Sequence, residues 1–110
     1  MNGAERITKE RDRQIEKEGW TADHDDGHIN NEIARAAACY AAEAGNMYIE
    51  EVMVIGPDMT EGTDPWPWDD KWDKRVDDPT IDNKIRMLEK AGALCAAEID
   101  RLLRLKSKES

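Results

Sequence analysis

The sequence predicts a mainly α-helical protein: a small three-helix domain with an irregular insertion rich in tryptophan and proline. Apolar or small residues recur in alternating steps of four and three along the last third of the chain, which places them on one face of a helix. Two earlier stretches are rich in helix-forming residues, and each is followed by glycine, a residue that commonly ends helices. We therefore predict helices over residues 4–18, 29–44 and 79–105.

The composition limits the size of the core and the class of partner. The 110 residues suffice for a single domain, predicted to span residues 1–110 with 106–110 as a frayed tail. Much of the apolar content is alanine and phenylalanine is absent, so a homo-oligomer would supply burial that the monomer lacks. The net charge of −9 argues against a nucleic-acid polymer as the partner, although a few local arginines would suffice to hold one small anionic ligand.

The sequence also bears on the cellular compartment. No apolar run approaches the roughly 18 residues of a membrane-spanning helix, and the N-terminal segment lacks the apolar core of a signal peptide. Cys39 and Cys95 each lie in an alanine-rich stretch, which favours buried free thiols over a disulfide. These features predict a cytoplasmic protein with no membrane partner.

The predicted last helix has a distinct start and an unusual middle. Asp78 is expected to cap its first turn, with Pro79 at the first helical position. Glycine inside a helix costs roughly 1 kcal/mol relative to alanine, so another element is expected to pack closely at Gly92. The alanines around Gly92 match those of the second predicted helix, and we predict that these two helices pack together, with the Tyr40 hydroxyl reaching a partner. The alternating face consists of Ile81, Ile85, Leu88, Gly92, Cys95, Ile99 and Leu102.

The first predicted helix is narrow and amphipathic. Ile7 and Ile15 are its only large apolar side chains, and most of its charges are expected to face solvent. Arg11, Arg13 and Gln14 precede the next motif by less than two helical turns. One or two of these three side chains are therefore expected to point back toward a site.

Both histidines of the chain, His24 and His28, lie among three aspartates shortly after Trp20. Histidine and aspartate at such close spacing bind zinc or another divalent ion, but here the remaining ligands would have to come from distant carboxylates. The alternative, which we favour, is a turn in which Asp25 or Asp26 caps the second helix and the histidines form hydrogen bonds.

The region between the second and third predicted helices is irregular. Residues 46–64 fit neither the helical nor the strand period, and turn residues at 56–58 divide them. The tryptophans that follow, Trp66, Trp68 and Trp72, begin in an extended stretch because each proline disfavours helix at the residue before it. They either cap the open end of the bundle or form a wall on which a flat base stacks, an interaction worth roughly 1–3 kcal/mol per base in single-strand binders.

The order of these motifs resembles a family of small phage and prophage proteins. The resemblance covers most of the chain except residues 46–64 and both termini, and it implies family membership without a particular activity. The residues that carry it are Glu5-Arg6, Arg11-Asp12-Arg13-Gln14, Glu18-Gly19-Trp20-Thr21, His24-Asp25-Asp26-Gly27-His28, Ala36-Ala37, Tyr40-Ala41, Trp66-Pro67-Trp68, Lys90-Ala91-Gly92-Ala93-Leu94 and Ala97-Glu98-Ile99-Asp100-Arg101-Leu102.

A weaker resemblance is to the ryanodine-receptor repeat domain, a small helical module with a charged helix before a Gly-Trp pair, here Gly19-Trp20. Its Pro-Trp element and its final Ala-Gly pair correspond to Pro67-Trp68 and Ala91-Gly92. The chain departs from that module by lacking the Tyr-Gly expected after Trp20 and by inserting residues 46–64. Bacterial versions of the module are thought to sense nucleotide-derived signals, so the resemblance implies a ligand of that class.

These observations lead us to predict a non-enzymatic, phage-type protein that binds and sequesters a nucleotide-derived signal of host defence. Arginines would grip phosphate, tryptophans would stack on a base, and Asp25 or Asp26 would contact ribose. Two alternatives stay open: an inhibitor that binds a host protein through the Trp-rich loop, and a metal-dependent nucleotide hydrolase built on the two histidines. The predicted ligand-binding residues are Arg11, Arg13, Gln14, Trp20, Thr21, His24, Asp25, Asp26, His28, Trp66, Trp68 and Trp72; no catalytic residue, metal or cofactor is predicted.

Overall fold

The computed structural model describes residues 1–78 and 80–109, and most of these residues are helical. Three long helices are present as predicted, together with a short fourth helix and a two-stranded antiparallel sheet that were not predicted. No helix in the described ranges combines the length and apolar character needed to cross a membrane. In chain order the elements are α1 (Gly3–Glu18), α2 (Ala22–Asp26), α3 (Glu32–Ala44), β1 (Glu51–Gly56), β2 (Met59–Thr63), a 3-10 turn (Asp70–Trp72) and α4 (Ile81–Glu109).

Both ends of α1 are fixed by local hydrogen bonds. The Asn2 side chain accepts from the Glu5 N–H at 2.9 Å, and the Glu5 carboxylate accepts from the Asn2 N–H at 3.2 Å, which forms a capping box. At the other end Gly19 adopts a left-handed φ of 73°, and the Trp20 N–H donates to the Gln14 carbonyl at 3.0 Å. The predicted helix end at Gly19 is confirmed.

The buried side of α1 is polar, contrary to the predicted apolar stripe. Glu10 and Gln14 are 3% and 1% exposed, whereas Ile15 lies largely at the surface. The reason is that α1 crosses α4 beside cationic side chains: Arg86 donates to the Glu10 carboxylate at 2.7 Å. A buried carboxylate is tolerated where cations pair with it, a long-range condition that helical periodicity does not contain.

The predicted helix over residues 29–44 is wrong at its start, because the chain breaks between α2 and α3. Asn31 adopts a left-handed φ of 63° and precedes the first residue of α3. Ile29, expected on the inner face, is 73% exposed, and neither Asp25 nor Asp26 caps α3. Asparagine tolerates left-handed conformations and disfavours helix interiors, which accounts for the break.

The contact between α3 and α4 is the core of the protein, and its prediction is confirmed. Alanines face alanines, which allows the two helix backbones to approach closely. The Tyr40 hydroxyl accepts a hydrogen bond from the Lys74 N–H at 3.1 Å, as expected of a buried tyrosine. The buried cluster comprises Ile33, Ala36, Ala37, Tyr40, Met87, Ala91, Leu94 and Ala97.

The ends of α4 differ from the prediction. Thr80, rather than Asp78, caps the helix, because the Thr80 hydroxyl accepts from the Asn83 N–H at 3.2 Å. Pro79, predicted at the first helical position, lies outside the described residues. The helix continues to Glu109, past its predicted end at residue 105, and residue 110 of the predicted tail lies outside the described residues.

The alternating face of α4 does not face the core. Ile81, Leu88 and Ile99 are more than half exposed, and Cys95 is exposed rather than buried, while Cys39 is 1% exposed as predicted. The α3 helix packs instead on the adjacent face of α4, where the side chains are mostly smaller. The alanines of α3 pack closely against that face, because neither helix has large side chains there that would hold the two helices apart.

Residues 51–63 form a β-hairpin that packs on little else. Turn residues 57 and 58 connect β1 to β2, and Glu51 pairs with Thr63 at its base. Val52, Met53 and Val54 are all more than half exposed. Since neither face of the hairpin is buried, its sequence need not alternate between apolar and polar residues, which explains why residues 46–64 fit neither the helical nor the strand period.

Close packing at Gly92 is confirmed, although the neighbour is α1. A Cβ atom at Gly92 would lie 2.6 Å from Ile7 Cδ1 and 2.8 Å from Ile7 Cγ1. We expect Gly92→Ala to lower the free energy of unfolding, because an overpacking cost of about 1–3 kcal/mol outweighs alanine's helical advantage of about 1 kcal/mol.

Urea unfolding of the Gly92→Ala protein measures this effect. The matched background is Ile7→Ala, in which the clash is gone and the same substitution should stabilise the protein. A stabilising Gly92→Ala change in the wild-type background would contradict the close contact between α1 and α4.

Candidate functional site

Two loops distant in sequence bring their aromatic rings together at one edge of the helices. Trp20 follows the end of α1, and Trp68 lies in the Pro-Trp loop before α4. Their ring centroids are 6.2 Å apart with the planes at 51°. Both rings pack against the α3–α4 core, so that core fixes their relative position.

The two histidines complete a circuit of four rings. The His24 ring lies parallel to Trp20 at 5.9 Å, and His28 meets His24 edge-on at 4.9 Å. The His28 ring contacts Trp68 at 5.3 Å, which closes the circuit. His24 lies in α2, and His28 lies two residues past its end, where the His28 N–H donates to the Asp25 carbonyl at 3.0 Å.

An open pocket of about 470 Å³ lies over these rings. Its walls are mainly aromatic, and two carboxylates, Glu18 and Asp69, stand at its edge. Trp72, from the 3-10 turn, adds a ring that is 43% exposed. The lining residues are Glu18, Trp20, His24, His28, Trp68, Asp69 and Trp72.

Each histidine is oriented by a carboxylate. His24 Nδ1 lies 3.1 Å from Asp25 Oδ1, and His28 Nδ1 lies 2.7 Å from Glu32 Oε2. Since an ionised carboxylate only accepts hydrogen bonds, Nδ1 is the protonated nitrogen and Nε2 is the acceptor in each neutral ring. Burial raises the pKa of Glu32, but hydrogen bonds from His28 and from the Asn30 N–H outweigh it and lower that pKa.

The aspartates predicted to contact ribose have other partners. Asp25 is 2% exposed, and its Oδ2 accepts from Arg11 at 2.9 Å. Asp26 accepts from Arg104 on α4 at 2.8 Å, and this hydrogen bond lowers the pKa of Asp26. Thr21 is exposed at the start of α2 and does not line the pocket.

The predicted phosphate-binding residues lie behind the pocket. Arg11 donates to Asp25 and to the Trp20 carbonyl, and Arg13 donates to both Glu10 and Glu18. These bonds compete with any anion, because each guanidinium is already held by a carboxylate. Gln14 is buried and donates to Glu10 at 3.4 Å.

A small second cavity, of about 20 Å³, adjoins the aromatic pocket. It shares Glu18, Trp20 and Trp72 with that pocket, and it adds the cations Arg13, Lys74 and Lys90, together with Gln14 and Tyr40. Burial, and next the charge of Arg86, lower the pKa of Lys90. The three cations therefore lie on one side of the Trp20 and Trp72 rings and Asp69 on the other, while Glu18 borders both cavities.

Trp66 supports the pocket from behind. Its ring meets Tyr40 and Trp68 edge-on at 5.5 and 5.6 Å, and the Arg75 guanidinium lies over it at 5.4 Å. Hydrogen bonds from Arg75 to Asp73 and Asp64 raise the pKa of Arg75 and hold it there. The expectation that some tryptophans cap the bundle is thus met by Trp66 and Trp68, which pack on the core.

Two polar atoms in this region are buried without a protein partner: Trp68 Nε1 and Gln14 Oε1. An unsatisfied buried donor costs about 1–3 kcal/mol.

Three charged residues at the site were not predicted from the sequence: Glu18, Asp69 and Lys90. Glu18 directly precedes Gly19-Trp20 and Asp69 directly follows Trp68, so adjacency to the aromatic motifs was the available signal. Nothing in the sequence distinguishes Lys90 from the other lysines, since only the crossing of α1 over α4 brings it to the site.

The described residues contain no group of three or more His, Cys, Asp or Glu side chains that could hold a metal ion. No protein-family model, curated protein or solved structure matches this chain.

Proposed function

We propose that this protein binds and sequesters a small nucleotide-derived signalling molecule, whose base stacks on the rings of the aromatic pocket. The observation that carries the proposal is the convergence of Trp20, His24, His28 and Trp68 around an open pocket of about 470 Å³. Pockets of this size hold small molecules, and aromatic walls favour flat bases of any sequence.

The polar groups around the rings support the choice of a base. The Nε2 acceptors of His24 and His28 and the carboxylates of Glu18 and Asp69 suit the amino and ring N–H donors of a purine or pyrimidine edge. No arginine or lysine lines this pocket within the described part of the chain. The base, rather than phosphate, is therefore the part of the ligand assigned to it.

The anionic part of the ligand is assigned to the adjacent cations. Lys74 and Lys90 lie beside the same Trp20 and Trp72 rings that line the pocket. Lys74 is exposed and is the principal contact proposed, since Lys90 Nζ lies 3.7 Å from the Glu10 carboxylate. This arrangement modifies the roles expected from the sequence, because Arg11 and Arg13 are engaged by internal carboxylates.

Sequestration of such a signal implies a role for the protein in a host cell. The protein would be phage-derived, would act in the host cytoplasm without catalysing a reaction, and would deprive a defence pathway of its signal. It would also be a homo-oligomer. With a net charge of −9, a nucleic-acid polymer is not the proposed partner.

The first experiment is mass spectrometry of small molecules that copurify with the native protein, followed by calorimetry with cyclic dinucleotides and ADP-ribose derivatives. We expect Trp72→Ala to weaken binding by roughly 5- to 100-fold, the equivalent of about 1–3 kcal/mol of stacking. Trp72 is the variant of choice because its exposed ring is not part of the core.

The matched control is Tyr48→Ala, which removes an aromatic ring that is 82% exposed and outside the pocket. Its affinity should equal that of the wild type. Silence of the folded protein across the whole panel would count decisively against a nucleotide-derived ligand.

The chemical state of the ligand after binding distinguishes sequestration from hydrolysis. Ligand recovered intact after denaturation supports sequestration, whereas turnover that stops with a chelator would support the alternative of a metal-dependent hydrolase.

A second candidate is an inhibitor that binds a host protein. The exposed apolar side chains of the β1–β2 hairpin favour it, since Val52, Met53, Val54, Ile55 and Met59 are all at least half exposed. Exposed apolar patches often mark protein interfaces. Capture of one host protein by the wild type, lost in a Val54→Asp variant that still binds nucleotide, would show that the hairpin acts independently of the pocket.

A further inference from the structure

The α4 helix has an apolar face that its own chain leaves exposed on both sides of Gly92, the one position of the face on which Ile7 of α1 packs. We call it the outer seam: Ile81, Ile85, Leu88, Cys95, Ile99 and Leu102, each at least 38% exposed where the side chain is Ile or Leu. Its positions follow a period of 3.5 residues, the period of helices that pair along their length. The α3 helix occupies a second seam of the same period, which includes Met87, Ala91 and Leu94.

Two leucines of the outer seam are placed symmetrically about the middle of α4. Cys95 is the midpoint of α4 (Ile81–Glu109), and Leu88 and Leu102 lie equally far from it on either side. If two copies of α4 pair antiparallel about a two-fold axis at Cys95, Leu88 of each copy faces Leu102 of the other. Such a self-complementary contact is the usual form of a homodimer interface.

The charges at the two ends of α4 favour the antiparallel arrangement. Asp77, Asp78 and Asp82 are exposed at its N-terminal end, and Lys106 and Lys108 are exposed at its C-terminal end. An antiparallel pair places the aspartates of each copy beside the lysines of the other. A parallel pair would place like charges together at both ends, which is unfavourable.

The shapes of the two halves are also complementary. A groove of about 540 Å³ lies between the start of α1 and the first half of α4, with Met1, Ile7, Ile85 and Leu88 in its walls. In the second half of α4, Leu102, Leu103 and Leu105 project from the surface and are 46–58% exposed. The antiparallel overlap places Leu102 of one copy opposite Leu88, at the groove of the other copy.

We propose that the protein forms a homodimer in which the outer seams of two α4 helices pair antiparallel about Cys95. The contact would run along a helix roughly 43 Å long, at 1.5 Å per residue, and would bury the large aliphatic side chains that the monomer exposes. The dimer does not depend on the ligand pocket, because no outer-seam residue lines that pocket.

The first test is the molar mass in solution. Light scattering at about 100 μM protein should give twice the 12.5 kDa of the chain. Leu88→Asp and Leu102→Asp should each return the mass to that of the monomer, while helical content remains unchanged because both side chains are exposed. The matched control, Ile55→Asp, changes an exposed residue of the hairpin and should remain dimeric. A monomeric wild type, or dimers in both leucine variants, would overturn the proposal.

Cysteine crosslinking tests the direction of pairing. Mild oxidation should link wild-type chains through Cys95 but leave Cys95→Ser unlinked, since Cys39 is buried. In the Cys95→Ser background, Leu88→Cys alone should not crosslink, whereas a mixture of Leu88→Cys and Leu102→Cys chains should. Self-crosslinking of Leu88→Cys would show a parallel pair and overturn the antiparallel arrangement.

Discussion

Replacing Glu10 with glutamine is expected to lower the free energy of unfolding by about 3 kcal/mol at pH 7. The carboxylate is 3% exposed and accepts hydrogen bonds from Arg13 at 2.8 and 2.9 Å and from Arg86 at 2.7 Å. Burial raises its pKa, but these bonds and the charge of Lys90 outweigh burial and lower the pKa to about 2. Glutamine preserves the size of the side chain but removes the charge that Arg13, Arg86 and Lys90 share, which leaves Arg13 with Glu18 and Arg86 with Glu89.

The same carboxylate makes the fold sensitive to acid. Because the pKa of Glu10 is lower in the folded protein than in the unfolded chain, its stabilisation is fully present above the usual value of 4.5 and is lost as the pH falls toward 2. Urea unfolding between about pH 7 and pH 2 should show a loss of about 3 kcal/mol from this group in the wild type.

Two variants distinguish the contribution of Glu10 to acid sensitivity from the contributions of the other acidic groups. Glu10→Gln should lack that component of the acid dependence, while Glu16→Gln, a matched change at an exposed position of α1, should retain it. Equal acid sensitivity in Glu10→Gln and the wild type would show that the carboxylate does not have the assigned partners.

Replacing Asp25 with asparagine is expected to cost about 3 kcal/mol of stability and to loosen the aromatic pocket. One carboxylate fixes two elements of the site: Arg11, which also donates to the Trp20 carbonyl at 3.2 Å, and the His24 ring. Asparagine has a similar shape but cannot balance the charge of Arg11, whose side chain is only 13% exposed.

Two measurements distinguish the effects of Asp25→Asn. Urea unfolding reports the lost stability, and near-ultraviolet circular dichroism reports the order of the tryptophan rings. Asp23→Asn, an exposed position of the same short helix, is the control and should change neither. Wild-type stability in Asp25→Asn would mean that Arg11 does not rely on this carboxylate.

The features predicted correctly from the sequence are those with local signals. The end of α1 at Gly19 depends on a glycine that accepts a left-handed φ. The α3–α4 contact follows from alanines repeated at helical spacing on both helices. The meeting of Trp20 and Trp68 also follows from local order, because each lies in a short loop beside the same helix pair.

The features missed depend on choices made between distant parts of the chain. Helix α4 has two rows of side chains with the same period, and its sequence does not indicate on which of them α3 packs. Larger side chains were expected to be buried, but the alanine surface of α3 fits the adjacent seam more closely. The hairpin was missed because a sheet with no buried face has no alternating pattern.

The charges of the site were the least predictable part. Arg11 and Arg13 were expected to meet an anion because arginines near an aromatic motif commonly do. The fold instead pairs them with Asp25, Glu10 and Glu18, and brings Lys90 from α4 toward the pocket. Pairing among so many charged side chains is decided by tertiary distances, which composition and spacing do not contain.

The base of the hairpin has a practical consequence for engineering. Glu51 and Thr63 are antiparallel partners across the two strands, and Arg35 donates two hydrogen bonds, of 2.8 and 2.9 Å, to the Glu51 carboxylate. Both ends of a foreign domain inserted at the tip would therefore connect to paired, adjacent strands, and the insertion would not separate the helices. The tip of the hairpin therefore offers a position for attaching a fluorescent domain.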